Sequence, residues 1–72
     1  MEVYRNLRGE MTKKNITNSD LAILLKVHPT TVGNKFNNRG KSDFTISEAV
    51  LIKNTYFQSI SVEELFKKEL AP

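Results

Sequence analysis

Apolar residues recur along this chain at helical spacing. Val3, Leu7 and Met11 fall at four-residue intervals with Tyr4 beside them, so the segment from roughly Glu2 to Lys14 builds one apolar helix face. Arg5, Arg8 and Lys13 fall mostly on its other sides. Leu21, Leu24 and Leu25 repeat the spacing with the small Ala22 between them, and Val32 and Phe36 follow at i and i+4. Ala49, Leu51, Ile52, Tyr56 and Phe57 continue a fourth pattern, and Leu65, Phe66 and Leu70 a fifth. No segment sustains an alternation of period two, so strands are not expected.

Start signals stand in front of these patterns. Thr17 can accept a hydrogen bond from a free N–H of the first turn, and Asp20 can reach back to it as in a capping box. Ile16 before that cap and Leu21 after it suit a hydrophobic staple. Pro29 fits the first position of a helix, with His28 or the hydroxyls just inside as its cap. Thr45-Ile46-Ser47-Glu48 and Ser61-Val62-Glu63-Glu64 each read as a full capping box. The expected fold is all-α, a compact bundle of about five short helices in one domain spanning residues 1–72.

The stretch from Ile16 to Asn38 is the most informative. A short helix, a turn and a second helix leave no chain for a long excursion, so the two helices must cross steeply and share apolar contacts. Ala22 falls where they come closest, Val27 points inward from the turn, and Val32 packs back onto Leu21 and Leu25. The start of the second helix, with Thr30, Thr31, Gly33 and Asn34, is then turned away from the core.

In these residues the chain resembles the phage repressor and Cro type of helix-turn-helix protein, an XRE-like, lambda-repressor-like family. The likeness is carried by Thr17-Asn18-Ser19-Asp20-Leu21-Ala22-Ile23-Leu24-Leu25, by Val27-His28-Pro29-Thr30-Thr31-Val32 and by Asn34-Lys35-Phe36-Asn37. Ser42 to Ala49 and Ile60 to Phe66 are similar to the starts of that family's fourth and fifth helices. The resemblance implies a sequence-specific regulator of transcription, a repressor of phage or mobile-element type, binding double-stranded operator DNA. It implies that the helix from Pro29 lies in the major groove, with Pro29, Thr30, Gly33 and Asn34 facing base edges. Asn34 could pair in two places with adenine, Thr30 could meet a thymine methyl, and Gly33 would permit close approach. Phosphates would fall to Thr17 and Asn18 at a helix N-terminus and to Asn37, Asn38, Arg39 and Lys41 in the following loop. The family often has glycine where Lys26 stands, which implies either a left-handed lysine, at a cost of ~1 kcal/mol, or a different turn here.

Plainer readings stand beside these. Thr30 and Thr31 suit the first turn of any helix, Arg39 and Lys41 any solvated loop, and Lys67-Lys68 any helix C-terminus. A fold does not fix a function, so a protein-interaction module, an antirepressor or adaptor with little DNA affinity, is the alternative. A homodimer would double the few specific contacts, with Phe66 and Leu70 as candidates for an apolar patch.

Charge sharpens the picture. The net charge is only +3, but from Leu21 to Ser42 there are four basic residues and no acidic one, whereas Asp43 to Pro72 carries three basic and five acidic. A polyanion would meet the middle of the chain. With no cysteine and one histidine, neither a disulfide nor a zinc site is expected. No nucleophile–base pair or glycine-rich phosphate loop points to an enzyme, a cofactor or a small-molecule substrate. No apolar run approaches the ~20 residues of a membrane span, and a soluble, cytoplasmic protein is expected.

Overall fold

A computed structural model of the chain describes residues 3–40 and 42–68. Among them are five helices and no strands: α1 (Arg5–Lys13), α2 (Asn18–Leu25), α3 (Pro29–Asn37), α4 (Ile46–Tyr56) and α5 (Val62–Leu65). No helix among the described residues is long and apolar enough to cross a membrane.

The capping chemistry explains most of the boundaries. Thr17 and Asp20 form a reciprocal box at α2, and Thr45 and Glu48 form one at α4. At α3 the His28 ring supplies the cap, its Nδ1 accepting the Thr30 N–H at 3.1 Å, and Pro29 takes the first helical position. At α5 only half of the expected box forms. Ser61 Oγ accepts the Glu64 N–H at 3.2 Å, but the Glu64 carboxylate faces Asn6, whose Nδ2 is 3.5 Å from Oε1 and 3.0 Å from the Glu64 carbonyl. A contact to α1 thus displaces the local one.

α1 begins later than the periodicity predicts. The Val3 N–H donates to the Phe36 carbonyl at 3.0 Å, which binds Val3 to the end of α3 instead of winding it into the helix. Asn15 (φ 57°) then turns the chain toward α2, and Lys26 (φ 58°, ψ 44°) turns it toward α3. Lys26 is therefore left-handed, the first of the two possibilities that the sequence left open.

The core brings all five helices together. Leu7, Met11, Leu21, Val32, Phe36, Ile52, Phe57 and Leu65 are fully buried. Each such side chain contributes roughly 1.5–3 kcal/mol from burial. Beside them Tyr4, Phe36, Phe44 and Phe66 form a cluster of edge-on rings, with centroids 5.2 to 6.4 Å apart. Phe66 is half-buried in that cluster and is not the free apolar surface expected of it; Leu70 lies outside the described residues. Ala49 and Ile52 face the core, while Leu51 is 42% exposed.

Candidate nucleic-acid interface

The site begins with the packing of α2 on α3. Lys26, Val27 and His28 alone connect the two helices. Ala22 is buried at their junction, and the Val27 N–H donates to its carbonyl at 3.0 Å, closing the turn. Leu21 and Val32 are fully buried there, as the sequence predicts, while Leu24, Leu25 and Val27 are half-buried around them.

With Val32 and Phe36 inward, α3 turns its other side out. Thr30, Gly33, Asn34 and Asn37 stand at i, i+3, i+4 and i+7 and so share one stripe of the helix. Pro29, Thr30 and Asn37 are exposed, and Gly33 and Asn34 half-exposed. Among the described residues neither the Thr30 hydroxyl nor the Asn34 amide has a hydrogen-bond partner. The stripe is polar, uncharged and open.

The loop after α3 is more structured than its composition suggests. Asn37 Nδ2 donates to the Gly33 carbonyl at 3.0 Å. Asn38, in the left-handed region at φ 49°, donates from Nδ2 to the carbonyls of Lys35 and Ser42 at 3.1 and 3.3 Å. Both amides are thus drawn onto the backbone, where they shape the loop. Arg39 is exposed, and its side chain has no partner among the described residues; Lys41 lies outside them.

Lys35 leaves the basic group that the sequence assembles. Its Nζ donates to Glu48 Oε1 at 3.0 Å and to the Asp43 carbonyl at 2.9 Å. Burial alone would raise the Glu48 pKa, but the Thr45 N–H and the Lys35 ammonium outweigh it and hold the carboxyl below its ordinary value. The exposed cations flanking α3 among the described residues are therefore Lys26 and Arg39.

The start of α2 differs from a bare anion site. Thr17 N and Oγ1 both lie on the Asp20 carboxylate, at 2.8 and 3.1 Å, and the Asp20 N–H donates to Thr17 Oγ1 at 3.2 Å. The helix end thus carries an anion of its own, and Thr17 is engaged in the cap. Asn18 is placed differently: its Oδ1 accepts Arg8 Nη2 at 2.9 Å. Arg8 is the residue that the sequence reading missed. Periodicity puts it off the apolar face of α1, and no local pattern announces a partner on another helix.

Comparison of the chain with protein-family models, with curated proteins and with solved structures finds no match in any of the three.

Proposed function

We propose that the protein is a sequence-specific double-stranded DNA-binding regulator of transcription, a repressor of phage or mobile-element type, with α2 and α3 as a helix-turn-helix. The observation that carries this reading is the outward stripe of α3. Neutral donors and acceptors are what base edges require, and cations at the flank are what phosphates require. Thr30 and Asn34 are open and uncharged, Lys26 and Arg39 stand at either end of the helix, and no acidic residue occurs from Leu21 to Ser42.

In this reading α3 enters the major groove at its Pro29 end, Asn34 reads adenine and Thr30 a neighbouring base. Gly33 lets the backbone come close. Asn18 and Arg39 hold phosphates, with Thr17, Asn37, Asn38 and Lys41 as lesser candidates. A two-fold pair of such domains would read half-sites about one helical turn apart. The activity needs no cofactor and no catalytic group, and it places the protein in the cytoplasm with its operator.

Selecting duplexes from a random pool and measuring the winner against a scrambled sequence at two salt concentrations tests this. The winner should bind more than about tenfold tighter, because each mismatched base pair costs ~1–3 kcal/mol. Equal binding of the two overturns the reading.

A second reading, a protein-interaction module, has one observation in its favour. Ile46 is 85% exposed, Val50 40% and Leu51 42% on α4, and Ile23 on α2 is 78% exposed. Undetectable duplex binding at low salt would favour it.

A further inference from the structure

Arg8 belongs to α1, yet its guanidinium lies over the end of α3 and the start of α2. Its Cζ is 4.1 Å from the centroid of the Phe36 ring, and Nη2 is 2.9 Å from Asn18 Oδ1. The stacked ring restrains the guanidinium, and the guanidinium restrains the carboxamide. Arginine carries donors only, so it can take only the oxygen end of an asparagine amide. The NH2 of Asn18 is thereby forced to the opposite end.

That end lies beside Gly33. A Cβ built on Gly33 would stand 4.0 Å from Asn18 Nδ2, in van der Waals contact with it. Asn18 is half-exposed, and no acceptor among the described residues takes its amide hydrogens. The sense of the amide matters for chemistry. Its nitrogen end offers two donors to a phosphate, whereas its oxygen end would meet the phosphate oxygens as a second acceptor.

We propose that Arg8 is a positioning residue of the DNA interface, holding Asn18 so that its NH2 is presented to a backbone phosphate at the junction of α2 and α3. The proposal rests on the DNA-binding reading above and adds to it a residue from α1 that acts through Asn18.

The test is a double-mutant cycle on the selected duplex, with affinity, salt slope and thermal midpoint measured for each protein. Arg8→Met and Asn18→Ala should each weaken binding by roughly tenfold to a hundredfold, the worth of one hydrogen bond to a charged group. The double variant should bind no more weakly than Asn18→Ala alone. Arg8→Met should leave the salt slope unchanged, whereas loss of a cation in direct contact with a phosphate lowers it by about 0.9. Asn18→Asp keeps an acceptor for Arg8 and suits the α2 dipole, so its thermal midpoint should hold while its affinity falls further than that of Asn18→Ala. Additive losses, a lowered slope, or Asn18→Asp binding like the wild type overturn the proposal. Should Arg8→Met fail to fold, the wild-type Asn18 side-chain amide resonances decide. They should shift on adding duplex, and their failure to move overturns the proposal. A wild type that binds no duplex overturns the DNA-binding reading itself, and that result precedes any variant.

Discussion

Glu48 Oε1 accepts two hydrogen bonds, one from the Thr45 N–H at 2.9 Å and one from Lys35 Nζ at 3.0 Å. One carboxylate therefore caps α4 and ties it to α3 across the intervening loop. The Lys35 and Glu48 side chains are only 12% and 20% exposed, so the pair lies between the surface and buried regimes. Exposed ion pairs contribute under ~1 kcal/mol, and breaking a buried one costs ~3–5 kcal/mol. Lys35→Met should therefore destabilise the fold by about 1–3 kcal/mol in urea unfolding. Adding Glu48→Gln should cost less than it does alone, since the carboxylate would no longer be left without its cation. Additive losses would show that the two groups do not interact.

Lys26 provides a prediction of opposite sign. Its backbone is left-handed, with φ 58° and ψ 44°, and its side chain has no partner among the described residues. A β-carbon in that region costs roughly 1–2 kcal/mol, which glycine avoids at the expense of a more flexible unfolded chain. Lys26→Gly should stabilise the protein by about 1 kcal/mol and raise the thermal midpoint by about 4–8 °C. A lower midpoint would mean that the lysine is doing something at this turn beyond bending the chain.

These two lysines mark where the sequence is legible and where it is not. Caps at Thr17, His28 and Thr45 are local, and a few neighbouring residues suffice to specify them. The inward set Leu21, Val32 and Phe36 follows from helical period and a short connection. Lys35 could not be paired in advance, because its partners lie beyond a loop, at Asp43 and Glu48. On α4 the side that faces the core is not legible for a different reason. Ala49, Val50, Leu51 and Ile52 cover the helix nearly all round, so period alone cannot say which side is buried, and packing selects Ala49 and Ile52. At the candidate site the α3 stripe was readable from spacing, whereas the Arg8–Asn18 contact joins separate helices and was not.

Acid should unfold the protein through Asp43 and Glu48. Asp43 accepts from the Tyr4 hydroxyl, from the Phe44 N–H at 2.7 Å and from Lys68 Nζ at 3.0 Å. Burial alone would raise its pKa, but these donors outweigh it and the pKa lies below 3.8. Glu48 is likewise held below 4.5. A carboxyl with a depressed folded pKa stabilises the fold fully above its unfolded pKa, and that contribution is lost as pH falls through the folded value. The thermal midpoint should hold from neutrality down to about pH 5 and fall below about pH 4. Tyr4 sets the alkaline limit: burial first, then the Asp43 carboxylate, raise its pKa above 10.0. Its stabilisation is complete below pH 10 and lost above it. Asp43→Asn should lower the midpoint at pH 7 and flatten the acid limb. An acid limb just as steep in that variant would assign the loss to other carboxyls.

A division of labour at the proposed interface is the most direct prediction about function. Asn34 is uncharged, half-exposed and on the outward stripe of α3, so it can discriminate bases but releases no counterion. Arg39 is exposed on the loop beyond α3, so it can neutralise a phosphate whatever the sequence. Asn34→Ala should therefore relax preference at one base pair of the selected duplex, by ~1–3 kcal/mol of discrimination, and leave scrambled DNA nearly unaffected. Arg39→Ala should weaken selected and scrambled duplexes alike and lower the slope of log affinity against log salt by about 0.9. Neither side chain has a partner among the described residues, so both variants should fold with thermal midpoints close to the wild type. A uniform loss in Asn34→Ala, with altered base preference in Arg39→Ala, would mean that the loop reads the sequence and α3 only steadies it.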